Sequence, residues 1–126
     1  MNIPENLLYS SDHEWVRIES ERAVIGITDY AQDALGDVVF VDLPDVGGVV
    51  TAGASITEVE STKSVSDIYA PIAGTIIDTN QDLSESPELL NEDPYGEGWI
   101  CAIEFADGSQ FPDLLTAEQY GALIES

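Results

Sequence analysis

Positive charge is almost absent from this chain: Arg17, Arg22 and Lys63 stand against 25 carboxylates, for a formal net charge of −22. Such a field disfavours nucleic acid and anionic membranes as partners and favours basic surfaces or cations. Cysteine is nearly absent as well. The one thiol, Cys101, lies in the apolar run Trp99-Ile100-Cys101-Ala102-Ile103, which excludes an internal disulfide and a paired-thiol metal motif and reads as a buried core position. A thiol nucleophile would need a base and an electropositive setting that a chain with one histidine and three cations does not supply. No apolar stretch approaches the ~18 residues that span a bilayer, and Met1-Asn2-Ile3-Pro4-Glu5 lacks a basic segment followed by a long apolar run. The expected location is the cytoplasm. Missing too are a phosphate-binding glycine loop, paired metal-ligand histidines and a calcium-loop spacing. With no nucleophile, base and orienting group in recognisable arrangement, no catalytic or metal residues are assigned.

What remains is the material of one domain. The chain has 126 residues, 44% of them apolar, with two Trp, five Tyr and three Phe, enough for one core spanning 1–126. The carboxylates are spread along the whole length and not gathered in a tail. Their repulsion destabilises a compact fold in dilute salt and fades at molar salt, where the Debye length falls to about 3 Å, so the composition suggests a halophilic, acidic surface.

The cadence of the chain is that of short strands. Trp15 to Glu19 and Ala23 to Thr28, separated by Ser20-Glu21-Arg22, read as a β-hairpin. Thr28 or Asp29 can cap a short helix over Tyr30 to Leu35 that Gly36 ends. A strand from Val38 to Leu43 follows, then turn chemistry at Pro44 to Gly48. The apolar segments Val49-Val50, Ala54 to Val59, Val65 to Tyr69 and Thr75 to Ile77 recur between Gly and Pro punctuation, which predicts a small, mainly β core. Ser86-Pro87 looks like an N-cap with proline at the first helical position. Gly98 to Phe105 reads as the last core strand. Thr116 to Gln119 fits a capping box, and Tyr120, Leu123 and Ile124 recur at helical spacing, predicting a C-terminal helix at about 116–124.

Lys63 is the only lysine, and it stands in Glu58-Val59-Glu60-Ser61-Thr62-Lys63-Ser64-Val65-Ser66-Asp67 between two strand segments. The small polar neighbours Ser61, Thr62 and Ser64 fit a tight turn that projects the side chain into solvent, while Val59 and Val65 anchor the strands. A solvated loop lysine is the plain alternative. Yet a composition that has nearly eliminated lysine retains one at a hairpin tip, which calls for a reason only an amine supplies. Acylation by lipoic acid is such a reason. It removes the charge and adds an arm of about ten bonds, with a reach of roughly 12 to 14 Å. The dithiolane then supplies the chemistry, and the protein supplies orientation and docking.

The segment Val59 to Asp67 resembles the lipoylation hairpin of glycine cleavage H proteins. Other blocks resemble that family in its order: His13-Glu14-Trp15, Gly26 to Gln32, Leu35 to Pro44, Tyr69 to Gly74, Pro87 to Asn91 and Pro94 to Trp99. The resemblance runs from about Tyr9 to the C-terminal helix. It implies a barrel-sandwich hybrid of the lipoyl/biotinyl-carrier type, with short helices, a lipoyl hairpin at about 56–69, and lipoic acid bound to Lys63 as N6-lipoyl-lysine beside Glu60, Ser61, Thr62 and Ser64. It implies no activity of its own. A glycine decarboxylase (P protein) would load the aminomethyl group of glycine, an aminomethyltransferase (T protein) would pass its methylene to folate and release ammonia, and a dihydrolipoyl dehydrogenase (L protein) would reoxidise the carrier. Lipoate ligase or lipoyl-transfer enzymes would attach the arm. The family also folds its loaded arm into a cleft on the carrier. The positions here that resemble it are Asp12, Glu14 and Tyr30, with Asp67 near the base of the hairpin. Tyr30 stands where many relatives have histidine. His13 is read as a structural partner of Trp15 or the hairpin and not as a base.

Three rivals remain. A biotin carrier has a related barrel, but its hairpin places methionine on both sides of the lysine, where this chain has Thr62 and Ser64. A lipoyl donor or relay for 2-oxo acid dehydrogenases would carry the same hairpin. An unmodified acidic binding module would leave Lys63 incidental.

Overall fold

The structure is a computed structural model, and it describes residues 2–105, 111 and 114–125. In chain order the elements are β1 (Leu8–Tyr9), β2 (Glu14–Glu19), β3 (Arg22–Ile27), α1 (Asp29–Leu35), β4 (Val38–Asp42), β5 (Val49–Val50), β6 (Ser55–Ser61), β7 (Val65–Tyr69), β8 (Gly74–Thr79), α2 (Asp82–Glu85), α3 (Leu89–Glu92), β9 (Cys101–Glu104) and α4 (Ala117–Glu125). They form two antiparallel sheets, one of order β1-β2-β3-β9-β8-β5 and one of order β4-β6-β7. This is the mainly β barrel-sandwich with short helices and a C-terminal helix that the sequence implies.

Side-chain alternation divides the core between the two faces of the larger sheet. Val16, Ala23, Ile25, Ile27, Cys101 and Ile103 point to the space between the sheets, where they meet Val38, Val41, Ile56, Val59 and Ile68 of the smaller one. Trp15, Val24 and Ala102 point the other way, onto Leu7, Tyr9 and Tyr120. The C-terminal helix covers this second face: Tyr9 and Tyr120 stack with ring centres 4.8 Å apart. Gly26 is required here, because it pairs with Trp15 and a Cβ would stand 2.6 Å from the indole. The indole N–H donates to the Pro94 carbonyl at 2.8 Å.

The caps of α1 and α4 follow expectation. Thr28 Oγ1 accepts from the Ala31 N–H, and Gly36 ends α1 at φ +81°. Thr116 Oγ1 accepts from the Gln119 N–H, and the Gln119 side chain accepts from the Thr116 N–H, a complete capping box. Two expectations need correction. Ser86 is not the N-cap of α3: it closes α2, its carbonyl accepts the Leu89 N–H at 3.1 Å, and α3 starts at Leu89 behind Glu88. The cause is Leu83, a single buried residue in a polar run, which anchors a turn the sequence pattern does not display. The final strand begins at Cys101 and not at Gly98, because Gly98 closes the Asp93 turn by donating to the Asp93 carbonyl. Residue 106 lies outside the described residues. No helix among the described residues is long and apolar enough to cross a membrane.

Candidate functional site

The hairpin β6–β7 ends in a two-residue loop, Thr62-Lys63, closed by the Ser61 N–H donating to the Ser64 carbonyl at 2.8 Å. Such loops ordinarily need residues at positive φ, yet neither loop residue has one. Ser61 supplies the substitute: its hydroxyl oxygen accepts from the N–H groups of Lys63 (3.1 Å) and Ser64 (3.2 Å). The loop is also tied sideways, the Thr62 N–H donating to the Asp37 carbonyl at 3.0 Å. Lys63 is exposed. Ion pairs among the described residues are confined to Arg17–Glu19 and Arg22–Glu19, so the amine of Lys63 has no carboxylate partner among them.

Beside the hairpin, a cleft of about 260 Å³ runs between β7 and α1, lined by Ser64, Ser66, Asp67 and Ile68 on one side and Tyr30, Ala31, Ala34 and Leu35 on the other, with Asp12 and His13 at its end. Three of the four residues assigned by resemblance, Asp12, Tyr30 and Asp67, thus share one cleft. Glu14 does not. It lines a neighbouring depression, also about 260 Å³, with Ser10, Asp12 and Gly53; Asp12 borders both.

Glu14 is the unusual carboxylate. It is 1% exposed, and burial raises its pKa from 4.5 to about 7 against the lowering effect of the Ser10 hydroxyl, which donates to Oε1 at 2.6 Å. The Asp12 charge raises it further, and the Tyr69 N–H lowers it. Near neutrality this carboxyl therefore divides between its two forms. A cation reaching it would draw it into the charged form, an adaptable response that an exposed carboxylate cannot give.

Of the two partners the sequence suggests, Trp15 or the hairpin, His13 joins the hairpin, its carbonyl accepting the Thr28 N–H at 3.1 Å, while its ring packs on tyrosines. It sits at φ +70°, its ring 4.6 Å from that of Tyr30 and its Nδ1 2.8 Å from the Tyr120 hydroxyl. Burial lowers its pKa, with Asp12 opposing, so it is neutral at pH 7. Tyr120 also bonds Thr28 Oγ1 at 2.8 Å, and this chain links the C-terminal helix to the end of the cleft. Burial pushes the Tyr120 phenol up to about 12 and the Cys101 thiol up to about 12, which leaves both in their neutral forms. Cys101 is the inert core thiol the sequence predicts. Among the described residues no group of His, Cys, Asp or Glu could hold a metal ion.

A pinned hairpin with an exposed lysine at its tip and a cleft alongside it suits a carrier of a covalently attached group. The kinship of the chain says which carrier. Residues 7–126 match the family model of the glycine cleavage H-protein. A glycine cleavage system H protein of Bacteroides thetaiotaomicron is 51% identical over 124 residues, covering 98% of each chain. One from Thermus thermophilus is 52% identical over 126 residues, all of this chain and 98% of the other. The crystal structure of a glycine cleavage system H protein from Mycobacterium marinum superposes with a TM-score of 0.90 at 41% identity, covering 98% of this chain and all of that one. This chain belongs to the glycine cleavage H-protein family. It is a non-catalytic lipoyl carrier of the glycine cleavage system, its cofactor is lipoic acid held as lipoyl-lysine, and it works with the other components of that system.

Proposed function

We propose that Lys63 is the lipoyl attachment site, and that on it the protein passes the aminomethyl group of glycine from glycine decarboxylase to aminomethyltransferase, with dihydrolipoyl dehydrogenase restoring the oxidised state. The carrying observation is the single lysine of the chain, exposed at the tip of a hairpin whose backbone is fixed by Ser61 and Asp37. The residues fit the group: among the described residues the amine forms no ion pair, and Thr62, Lys63 and Ser64 are all exposed. When bound, the dithiolane supplies reversible two-electron disulfide chemistry and a thiol to hold a carbon fragment. The protein directs the arm and shelters its load. The cleft of Asp12, His13, Tyr30 and Asp67, with Glu14 behind Asp12, presents carboxylates suited to a cationic amine. Lipoate ligase or a lipoyl-transfer enzyme attaches the arm, and the site of action is the cytoplasm.

Incubating the lipoylated protein with glycine and glycine decarboxylase tests the shuttle. We expect release of carbon dioxide and a mass gain of one aminomethyl group on the carrier. Transfer of lipoyl groups to a 2-oxo acid dehydrogenase with no glycine-dependent gain would favour the relay. The charge excess further implies dependence on salt, since the ion pairs among the described residues, Arg17–Glu19 and Arg22–Glu19, neutralise only Glu19. The same unfolding midpoint in millimolar and molar salt would count against that reading.

A further inference from the structure

The stem of Lys63 lies against backbone. Gly36, the residue that ends α1, sits under it so closely that an added Cβ would stand 3.2 Å from Lys63 Cε and 3.3 Å from Cδ. Its φ of +81° independently favours glycine. Gly36 thus serves as the C-cap of a helix and as the surface beneath the lysine. The following residue, Asp37, accepts the Thr62 N–H through its carbonyl. Gly36 and Asp37 together are the floor of the lysine loop.

That floor is held from below by one side chain. Asn91, in α3, donates through Nδ2 to the Gly36 carbonyl (2.8 Å) and to Gln32 Oε1 (3.1 Å), and accepts the Val38 N–H through Oδ1 (2.9 Å). Donor and acceptor ends of one carboxamide therefore clamp the residues immediately before and after Asp37. The Gly36 carbonyl would otherwise be an orphan of the helix C-terminus and the Val38 N–H an unpaired donor at the start of β4. The carboxamide, with a donor nitrogen and an acceptor oxygen, satisfies both.

We propose that Asn91 is a positioning residue for Lys63: by clamping Gly36 and Val38 it fixes the seat of the lysine stem, so that the amine is aimed before any acyl-transferring enzyme docks. The proposal rests on the reading of Lys63 as the attachment site. Its advantage is kinetic. A long flexible side chain held in one direction spares the attaching enzyme the entropy of ordering it.

Two measurements on the full chain test this. In unmodified protein the single lysine gives an unobscured Hε resonance, and we expect a nuclear Overhauser contact between it and Gly36 Hα. In Asn91→Ala that contact should vanish while contacts across the Val59/Ser66 pair of the hairpin persist, and the kcat/KM of a lipoate ligase should fall on the order of tenfold. Acetylation of Lys63 by acetic anhydride, which needs no aiming, should be unchanged. Asn91→Asp, which keeps the acceptor for Val38 and loses both donors, should fall between. Should Asn91→Ala fail to fold, Asn91→Asp is read by the same two measurements, since it keeps the side-chain volume and the acceptor for Val38 and removes only the donors to Gly36 and Gln32. A Gly36 contact absent from the parent, or retained in Asn91→Ala, overturns the proposal, as does a lost contact with an unchanged ligase rate. If the parent accepts no lipoyl group at all, the attachment reading fails, while the contact still decides the seat.

Discussion

The two sheets of this molecule do different work. In the six-stranded sheet, β3 is buried from Ala23 to Ile27, with Ala23, Ile25 and Ile27 facing the space between the sheets and Val24 facing the Trp15, Tyr9 and Tyr120 cluster. In the three-stranded sheet only one face is covered. The other carries Phe40, Glu60 and Val65 in one cross-strand row and Asp42, Glu58 and Asp67 in the next; Phe40 is 49% and Val65 56% exposed. Like charges directly opposite each other cost stability, so this sheet is not arranged for the strongest fold. It presents the lysine, and the larger sheet carries the stability. The tip of the hairpin can therefore be rigid without a core beneath it: Ser61, Asp37, Gly36 and Asn91 hold it by local hydrogen bonds.

If this division is right, truncation in the larger sheet should be costly and change in the smaller one cheap. Trp15→Ala, which empties the indole site and orphans the Pro94 carbonyl, should destabilise by about 3–5 kcal/mol in denaturant unfolding; a loss below about 1 kcal/mol would break the comparison. Glu14→Gln should come next. Because burial raises the Glu14 pKa from 4.5 to about 7, the contribution of this one group to folding stability is full below pH 4.5, declines as the pH rises through about 7, and is level above it, a cost of about 3 kcal/mol at pH 8. The variant should lack this component, so its advantage over the parent should appear between pH 4.5 and 7 and persist at pH 8. A difference that does not change with pH would remove Glu14 from the account. In the smaller sheet, Glu58→Gln should raise stability by up to about 1 kcal/mol, more in low salt than in high. Val65→Ser should move the unfolding midpoint least, within about 0.5 kcal/mol.

What the sequence disclosed follows the same division. Strands marked by branched residues and by Gly or Pro punctuation were legible, as was Lys63, since its scarcity is a property of composition. The caps at Thr28 and Thr116 were legible because their partners lie three residues away. The two-residue β1 and four-residue α2 were not, being too short to show a period. Ser86 misled because its signature is local and the buried Leu83 that decides the turn is not. The cleft was visible only through resemblance, and its physical make-up was not: His13 meets Tyr120 across 107 residues, and Asn91 meets Gly36 across 55. Gly36 was read as a helix stop, which it is, and nothing nearby in the chain announces the lysine above it.

The measurement that bears most directly on the central claim is the intact mass of the protein and of Lys63→Arg, each before and after incubation with lipoate and a lipoate ligase. A lipoyl-sized increment on the parent and none on the variant is the expected result. An increment on neither, with both folded, would contradict Lys63 as the carrier site and leave an acidic binding module in its place.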